Sequence, residues 1–340
     1  MSSIRKIAEL TGYSLGTIDR AINNRGRISK ETQNKILEVA KKIGYTPNIF
    51  ARNLKLAKVY RFGIIMPNDN EDNGYWKLPT IGINKALDEF NSYKIEVLYF
   101  TYSKTNNTSI KKAFTLAIES GVDGLGIVPM LNNSFKKFIE TIPSTLPYIF
   151  FDAEIQETKS IAFIGQDSYA SGYLSAKIMN MCLGGVGSII VLKYKPSDEH
   201  IKQRTQGFAD YFKDHNIKIN VQVVEEIEPL GSTNVQKYLQ KTHGIFVPNA
   251  MVSGIAKLIK TLNKKVYIIG YDLLPDNIVL LKEGYIDFLI SQRSEYQGYE
   301  VIHKLVHHIL LNEKIPPIHW MPIDIITQEN LPFYNVGIEK

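Results

Sequence analysis

Apolar positions in the first part of the chain recur at helical spacing. From residue 59 onward they gather instead into short continuous runs. In "SIRKIAELT", Ile4, Ile7, Ala8 and Leu10 are spaced to share one helix face. "TGYS" breaks that pattern and places Ser14 where it can cap a second helix, which runs through Ile22 into the polar "NNRG". Ser29 is the next capping candidate and opens "KETQNKILEVAKKIG", in which Ile36, Leu37, Ala40 and Ile43 form the expected buried stripe and Gly44 the C-terminal turn. Pro47 is placed to start a further helix over residues 48–56, about two turns long and too short to be stable alone in water.

The later runs are strand-like: "YRFGIIMP", "IEVLYFTY", "VDGLGIVPM", "LPYIFFDA" and "SIAFIGQD", then "GSIIVLKY", "VQVVEEIE", "HGIFVPNA", "KVYIIGYD" and "IDFLISQR". Amphipathic helical segments separate them. Continuous Val, Ile, Leu and Phe strands between helices predict parallel sheets covered on both faces, and two such series predict two similar α/β lobes. No short-period repeat or low-complexity segment interrupts them.

Charge separates the two parts further. Residues 1–58 hold twelve Lys or Arg against four Asp or Glu, a surplus of eight; the whole chain carries +6, so the remainder is net −2. A basic head on a near-neutral body points to nucleic acid as the partner of the head. Cys182 is the single cysteine, which excludes an intrachain disulfide, and its apolar setting "IMNMCLGG" reads as core. No apolar run approaches the roughly 18 residues of a membrane span, and no signal-peptide pattern opens the chain. The expectation is a cytoplasmic protein with no membrane partner.

A helix, a glycine-containing turn and a second helix are weak signals alone. Here five submotifs follow in order over fifty residues: "IAELTG", "SLGTIDRAIN", "RGRISKET", "IGYTPN" and "ARNL". In them the chain resembles the N-terminal domain of the LacI/GalR family of transcription regulators. The resemblance implies that the second helix enters the major groove, with Ser14 at its start and Leu15, Gly16 and Arg20 facing base edges. It makes Thr17, Asn23 and Arg27 candidate backbone contacts. It also implies that "NIFARNLK" is a hinge helix, with Asn48 and Ala51 near the minor groove and Leu54 wedged between base pairs. Helical phase puts Thr17, Ile18, Ala21 and Ile22 on the core side and Leu15, Gly16, Asp19 and Arg20 on the groove side. Asp19 stands where many family members have serine. A carboxylate there can orient Arg5, Arg25 or Arg27, accept from a cytosine amino group, or lower non-specific affinity by repulsion.

Residues 60–335 resemble the type I periplasmic sugar-binding fold that this family uses to sense effectors, most clearly at "GIIMP", "NGYWKLPTIGINKALDEF", "FIGQDSYASGYLSAKIM" and "LISQRSEYQGY". The implied architecture is a small all-α helix-turn-helix DNA-binding domain followed by an α/β two-lobed periplasmic-binding-protein-like domain with parallel sheets. Boundaries are expected at 1–46 for the head, 47–59 for hinge and linker, and 60–340 for the effector domain, with lobe 1 at about 60–163 and 294–322 and lobe 2 at about 164–293 and 323–340. Ligands of open α/β sheets bind at the carboxyl ends of strands. Collecting polar and aromatic residues there gives Asn73, Tyr75, Trp76, Asp152, Asp167, His200, Arg204, Asn249, Asp272 and Gln292. Such side chains suit the vicinal hydroxyls and apolar face of a sugar. The resemblance implies sugar contacts for Asp152, Arg204, Asn249, Asp272 and Gln292 in particular.

Other chemistry is weaker. "LGGVGS" lacks the lysine of a phosphate loop and precedes a strand rather than a helix. His303 and His307 stand four apart in "HKLVHH" without an evident third ligand. No nucleophile–base arrangement points to an enzyme, and no cofactor or metal is called for. After "PIDIIT" no heptad repeat follows, which favours a homodimer on pseudo-palindromic operator DNA.

Overall fold

A computed structural model describes residues 4–22, 28–45, 58–129, 133–194, 198–226 and 238–334. The chain divides into two compact units, Met1–Lys58 and Val59–Lys340.

The first unit contains α1 (Ile4–Thr11), α2 (Leu15–Ile22) and α3 (Lys30–Lys42). Ile7, Ile18 and Ile36 are fully buried at its centre, with Ala21 and Ala40 beside them. Both serine caps form. Ser14 Oγ accepts from the Thr17 amide at 3.2 Å, and Ser29 Oγ accepts from the Thr32 amide at 3.1 Å. Two expected core residues lie outside it: Leu10 is 54% exposed and Leu37 43%. At about 100° per residue, Leu10 falls roughly 120° around from Ile4, and Leu37 roughly 100° from Ile36. Val39 packs on the cluster in place of Leu37, beside the expected Ile43. The hinge segment expected after Pro47 lies outside the described residues.

The second unit is built on two six-stranded sheets. The first sheet comprises β1 (Tyr60–Pro67), β2 (Ile95–Tyr102), β3 (Gly124–Ile127), β4 (Tyr148–Phe151), β5 (Ala162–Gly165) and β11 (Ile318–Trp320), in the order β11-β5-β4-β3-β1-β2. The second comprises β6 (Ser188–Tyr194), β7 (Asn220–Glu226), β8 (Gly244–Phe246), β9 (Tyr267–Tyr271), β10 (Phe288–Ser291) and β12 (Asp324–Ile326), in the order β12-β10-β9-β8-β6-β7. The central strands are apolar throughout because both faces are covered. Ile64 packs into the cluster with Ile83 and Val301, while its neighbour Ile65 faces the cluster of Phe114, Phe135 and Phe150. The second sheet repeats this, with Leu192 and Val191 facing opposite clusters.

One pair departs from the expected parallel order: β12 runs antiparallel to β10. β11 runs parallel to β5, so it arrives at the boundary between the lobes. Residues 321–323 carry the chain across, and β12 must leave that boundary against the direction of its neighbours. β11 itself is a short edge strand whose sequence, "IHW", carried no period long enough to read.

In each lobe two helices cross at backbone contact. In lobe 1 they are α4 (Lys77–Glu89) and α11 (Ser294–Leu305), and in lobe 2 they are α7 (Ser168–Leu183) and α8 (Glu199–Asp214). A methyl group at Gly82 would lie 1.6 Å from the Glu295 carbonyl oxygen, and one at Gly172 would lie 2.0 Å from that of Arg204. Gly184 ends α7 in the left-handed region, so "LGGVGS" is a helix-to-strand turn. The chain crosses between lobes after β5, after β10 and after β11. Gln166 ties all three crossings: its amide donates to Ser291 O at 3.2 Å and to Pro322 O at 2.9 Å.

Candidate functional site: an interlobe cleft and an exposed recognition helix

The carboxyl ends of both sheets meet at the boundary between the lobes. Asp152 directly follows β4 and Asp272 directly follows β9, in equivalent places. Both adopt the left-handed backbone, at φ 66° and 65°, which Asp tolerates better than most residues. Each amide donates to the next strand at 3.0 Å, Asp152 to Ile164 O and Asp272 to Ile290 O. This kink ends the strand and leaves both carboxylates lining one cavity.

A chain of hydrogen bonds links them across the lobes. The Tyr75 hydroxyl donates to Asp152 Oδ1 at 2.5 Å and accepts from Ser294 at 2.8 Å and from Gln292 Nε2 at 3.3 Å. Gln292 Nε2 also donates to Asp272 at 3.0 Å. Its Oε1 accepts from Arg204 at 2.5 Å. Arg204 donates further to Pro248 O at 3.0 Å and lies 4.0 Å over the Tyr271 ring. Its Nε, like His200 Nδ1, is buried without a hydrogen-bond partner. Two unsatisfied buried groups at one cavity are expected where a ligand is to complete the set.

Burial raises the Asp272 carboxyl to about 7, with Arg204 opposing the rise. Burial also lowers His200 to about 4, helped by Arg204, so its ring is neutral at pH 7. The Tyr75 hydroxyl is pushed well above its usual value by burial and by Asp152.

The structure places Tyr75, Trp76, Asp152, His200, Arg204, Asn249, Asp272 and Gln292 around this cavity. Two sequence candidates are not there. Asp167 is exposed at the N-cap of α7, where Oδ1 accepts from the Ala170 amide at 2.8 Å; the helix begins so soon after β5 that this carboxylate is used as its cap. Asn73 lies in a left-handed turn at the outer mouth of the cleft, beside Asn68 and Thr105. Three residues escaped the sequence reading: Asp72, Lys104 and Asp198. Lys104 follows β2 and bridges the lobes, 3.0 Å from Asp72 and 2.8 Å from Asp198. Burial disfavours its charge, but Asp198 and Asp72 together more than offset this and raise its pKa. The same carboxylate of Asp72 accepts from Trp76 Nε1 at 2.9 Å. Applied to β2, the strand-end rule would have found Lys104. Among its own side chains the cavity keeps about 30 Å³, about the share of one water molecule. The cleft stands closed on its own side chains, and the Lys104–Asp198 bridge spans the two lobes at its mouth.

In the first unit, Leu15 (49% exposed), Gly16 and Arg20 face solvent, whereas Ile18 and Ala21 are buried. Ser14 and Thr17 share a hydroxyl–hydroxyl bond of 2.9 Å. Asp19 is half-buried and does engage a partner. Asn23, Arg27, Asn48, Ala51 and Leu54 lie outside the described residues. His303 and His307 stack with ring centres 4.1 Å apart, and His307 Nδ1 is bonded to Glu313 at 2.7 Å. No described helix is long and apolar enough to cross a membrane.

A three-helix head with an exposed second helix, ahead of two parallel-sheet lobes closed on a polar cleft, defines a helix-turn-helix protein with a periplasmic-binding-protein body. Residues 62–314 match the periplasmic binding protein domain, and residues 3–48 match the bacterial regulatory proteins of the lacI family. The chain belongs to the LacI family of regulatory proteins. It is 26% identical over 219 residues to the NTD biosynthesis operon regulator NtdR of Bacillus subtilis, a stretch covering 64% of this chain and 63% of that protein. It is 23% identical over 343 residues to the sucrose operon repressor of Streptococcus mutans, covering 97% of this chain and all of that one. A LacI transcriptional regulator structure from Bacteroides fragilis superposes with a TM-score of 0.76 at 26% identity, covering 82% of this chain and all of the other.

Proposed function

We propose that the protein is a sequence-specific transcriptional repressor that binds pseudo-palindromic operator DNA as a homodimer and responds to a small carbohydrate held between its lobes. The observation that carries this reading is the interlobe cleft. Its bidentate groups, Arg204, Asp152, Asp272 and Gln292, come from both lobes, and the lobes are joined by three crossings that Gln166 ties together. A ligand that bonds both lobes favours the closed arrangement over the open one by its differential contacts. The second helix supplies the DNA contact. Arg20 is free of the core and long enough to give guanine a bidentate pair, and Leu15 offers an apolar surface to a thymine methyl. Residues 47–59 lie between the DNA-contacting helix and the cleft in sequence. A coupling of about 1–3 kcal/mol between ligand and operator changes DNA affinity by roughly 5–150-fold. The sugar-related operon of the Streptococcus mutans relative supports a carbohydrate effector.

The test is a gel shift on the DNA upstream of the protein's own gene at physiological salt, with and without a carbohydrate panel. A specific band whose midpoint shifts with one carbohydrate is expected. Failure to retard this DNA more strongly than random DNA, with every sugar tested, overturns the reading.

A further inference from the structure

The interlobe cleft holds more negative than positive charge. Asp72, Asp152, Asp198 and Asp272 line it, against Lys104 and Arg204. His200 adds no charge at neutral pH. Lys104 is committed to two carboxylates, Asp72 and Asp198. Arg204 donates to Gln292 and to the Pro248 carbonyl, not to a carboxylate. That leaves Asp152 and Asp272, on opposite lobes, bonded by neutral donors alone: the Tyr75 hydroxyl for the first and the side-chain and backbone N–H groups of Gln292 for the second. A carboxylate accepts about four hydrogen bonds, so both keep at least half of their capacity unused. Trp76 and Tyr75 line the same space, meeting edge-to-face at 4.8 Å, and an indole face is the most favourable ring for a cation.

A neutral ligand enclosed here would leave two buried carboxylates sharing one guanidinium that contacts neither. An anionic ligand, such as a uronate or a sugar phosphate, would add a further negative charge to a dry site. A ligand with one positive charge offsets the excess.

Resting on the carbohydrate reading above, we propose that the effector is an amino sugar: a hydroxylated ring whose protonated amine sits at the Asp152–Asp272 pair while its hydroxyls take Arg204, Asn249 and Gln292. Charge state then sets specificity. Asp272, raised to about 7, is faced by Arg204, Gln292, Asp152 and Tyr75. As pH rises toward 7 a growing share of it gives up the proton while the amine keeps its own, so amine affinity climbs up to about pH 7. A neutral sugar gains no charge partner from that ionisation.

Calorimetric titration of the full chain with matched sets tests this: glucose, glucosamine and glucuronate; galactose, galactosamine and galacturonate; and the 3-amino and 6-amino glucoses. In at least one set the amine is expected to bind about tenfold or more tighter than its neutral parent, the difference between a charge-assisted and a neutral hydrogen bond. The acid should bind most weakly. A neutral parent that binds as tightly as its amine in every set overturns the proposal and leaves the carbohydrate reading standing; no binding in any set overturns both. Asp152→Asn keeps the acceptor for Tyr75 and the left-handed backbone, which Asn tolerates. It should shrink the amine preference to within about twofold while neutral binding remains measurable. Full preference retained in this variant means that the ammonium is not at this pair and also overturns the proposal.

Discussion

Replacing Asp272 by Asn should stabilise the protein at neutral pH while weakening its hold on the effector. Burial raises this carboxyl from 3.8 to about 7, even with the Arg204 guanidinium pulling it down. Between those values the folded protein keeps a proton that the unfolded chain has released. Stability therefore falls as pH rises, by about 1.4 kcal/mol per unit. It is fully present below pH 3.8 and lost through pH 7, for a total of about 4 kcal/mol. Asn at this position resembles the protonated acid: it accepts from Gln292 Nε2, tolerates φ 65°, and leaves the bonds of Arg204 to Gln292 and Pro248 in place. The variant should match the wild type near pH 4 and exceed it by up to about 4 kcal/mol at pH 8.

Urea unfolding followed by tryptophan fluorescence measures this directly, because both tryptophans, Trp76 and Trp320, lie in the second unit. Equal midpoints at pH 8, or a gap that does not grow between pH 4.5 and 8, would refute the reasoning. A stabilised variant that loses ligand affinity is the trade-off expected where an unfavourable charge is kept for binding.

Other substitutions test other links. Lys104→Met leaves the partly buried carboxylates of Asp72 and Asp198 without their cation and should cost about 1–3 kcal/mol at pH 7, read as a lowered urea midpoint that recovers in acid. Gly172→Ala forces α8 away from α7 and displaces Arg204; a loss of about 1–3 kcal/mol in stability with weakened ligand binding is expected, and an unchanged calorimetric titration would count against the close crossing. Arg20→Ala should cost about 1–3 kcal/mol on operator and little on random DNA, measured by fluorescence anisotropy at fixed salt. Ser29→Ala should lower the head's stability by about 1 kcal/mol through loss of the Thr32 cap, seen as a lower melting midpoint of the head's circular dichroism.

The sequence disclosed most where one local rule decides the outcome. Ser14 and Ser29 cap helices because a hydroxyl one residue before a helix has few other uses. Ile64 and Ile65 both read as buried because a strand between two helical layers has no polar face. Asp152, Asp272 and Gln292 could be placed at the cleft for the same reason: the geometry of a parallel sheet fixes where its carboxyl ends lie. The rule misled at Asp167, where a cap and a ligand contact demand the same residue type at the same place, and only the distance from strand to helix separates them. Leu10 and Leu37 were misplaced because a small head buries a narrow stripe, and a residue 100° or more from its centre is left outside.

The pairing of Lys104 with Asp198 was illegible for a different reason. The two belong to different lobes and stand far apart in sequence, and no local segment reveals that they meet. Their bond exists only when the lobes close, so it is a property of one conformational state rather than of any local segment. That distinction bears on mechanism. Polar bonds hold the closed cleft, Lys104–Asp198 and Tyr75–Gln292, beside a small apolar contact in which Ala250 and Leu274 of lobe 2 join the lobe 1 cluster of Tyr75 and Trp76. Water can replace each when the lobes part, so the gap between open and closed states stays within reach of a ligand's differential binding energy. A far larger apolar seam at the same place would hold the lobes shut and leave an effector nothing to decide.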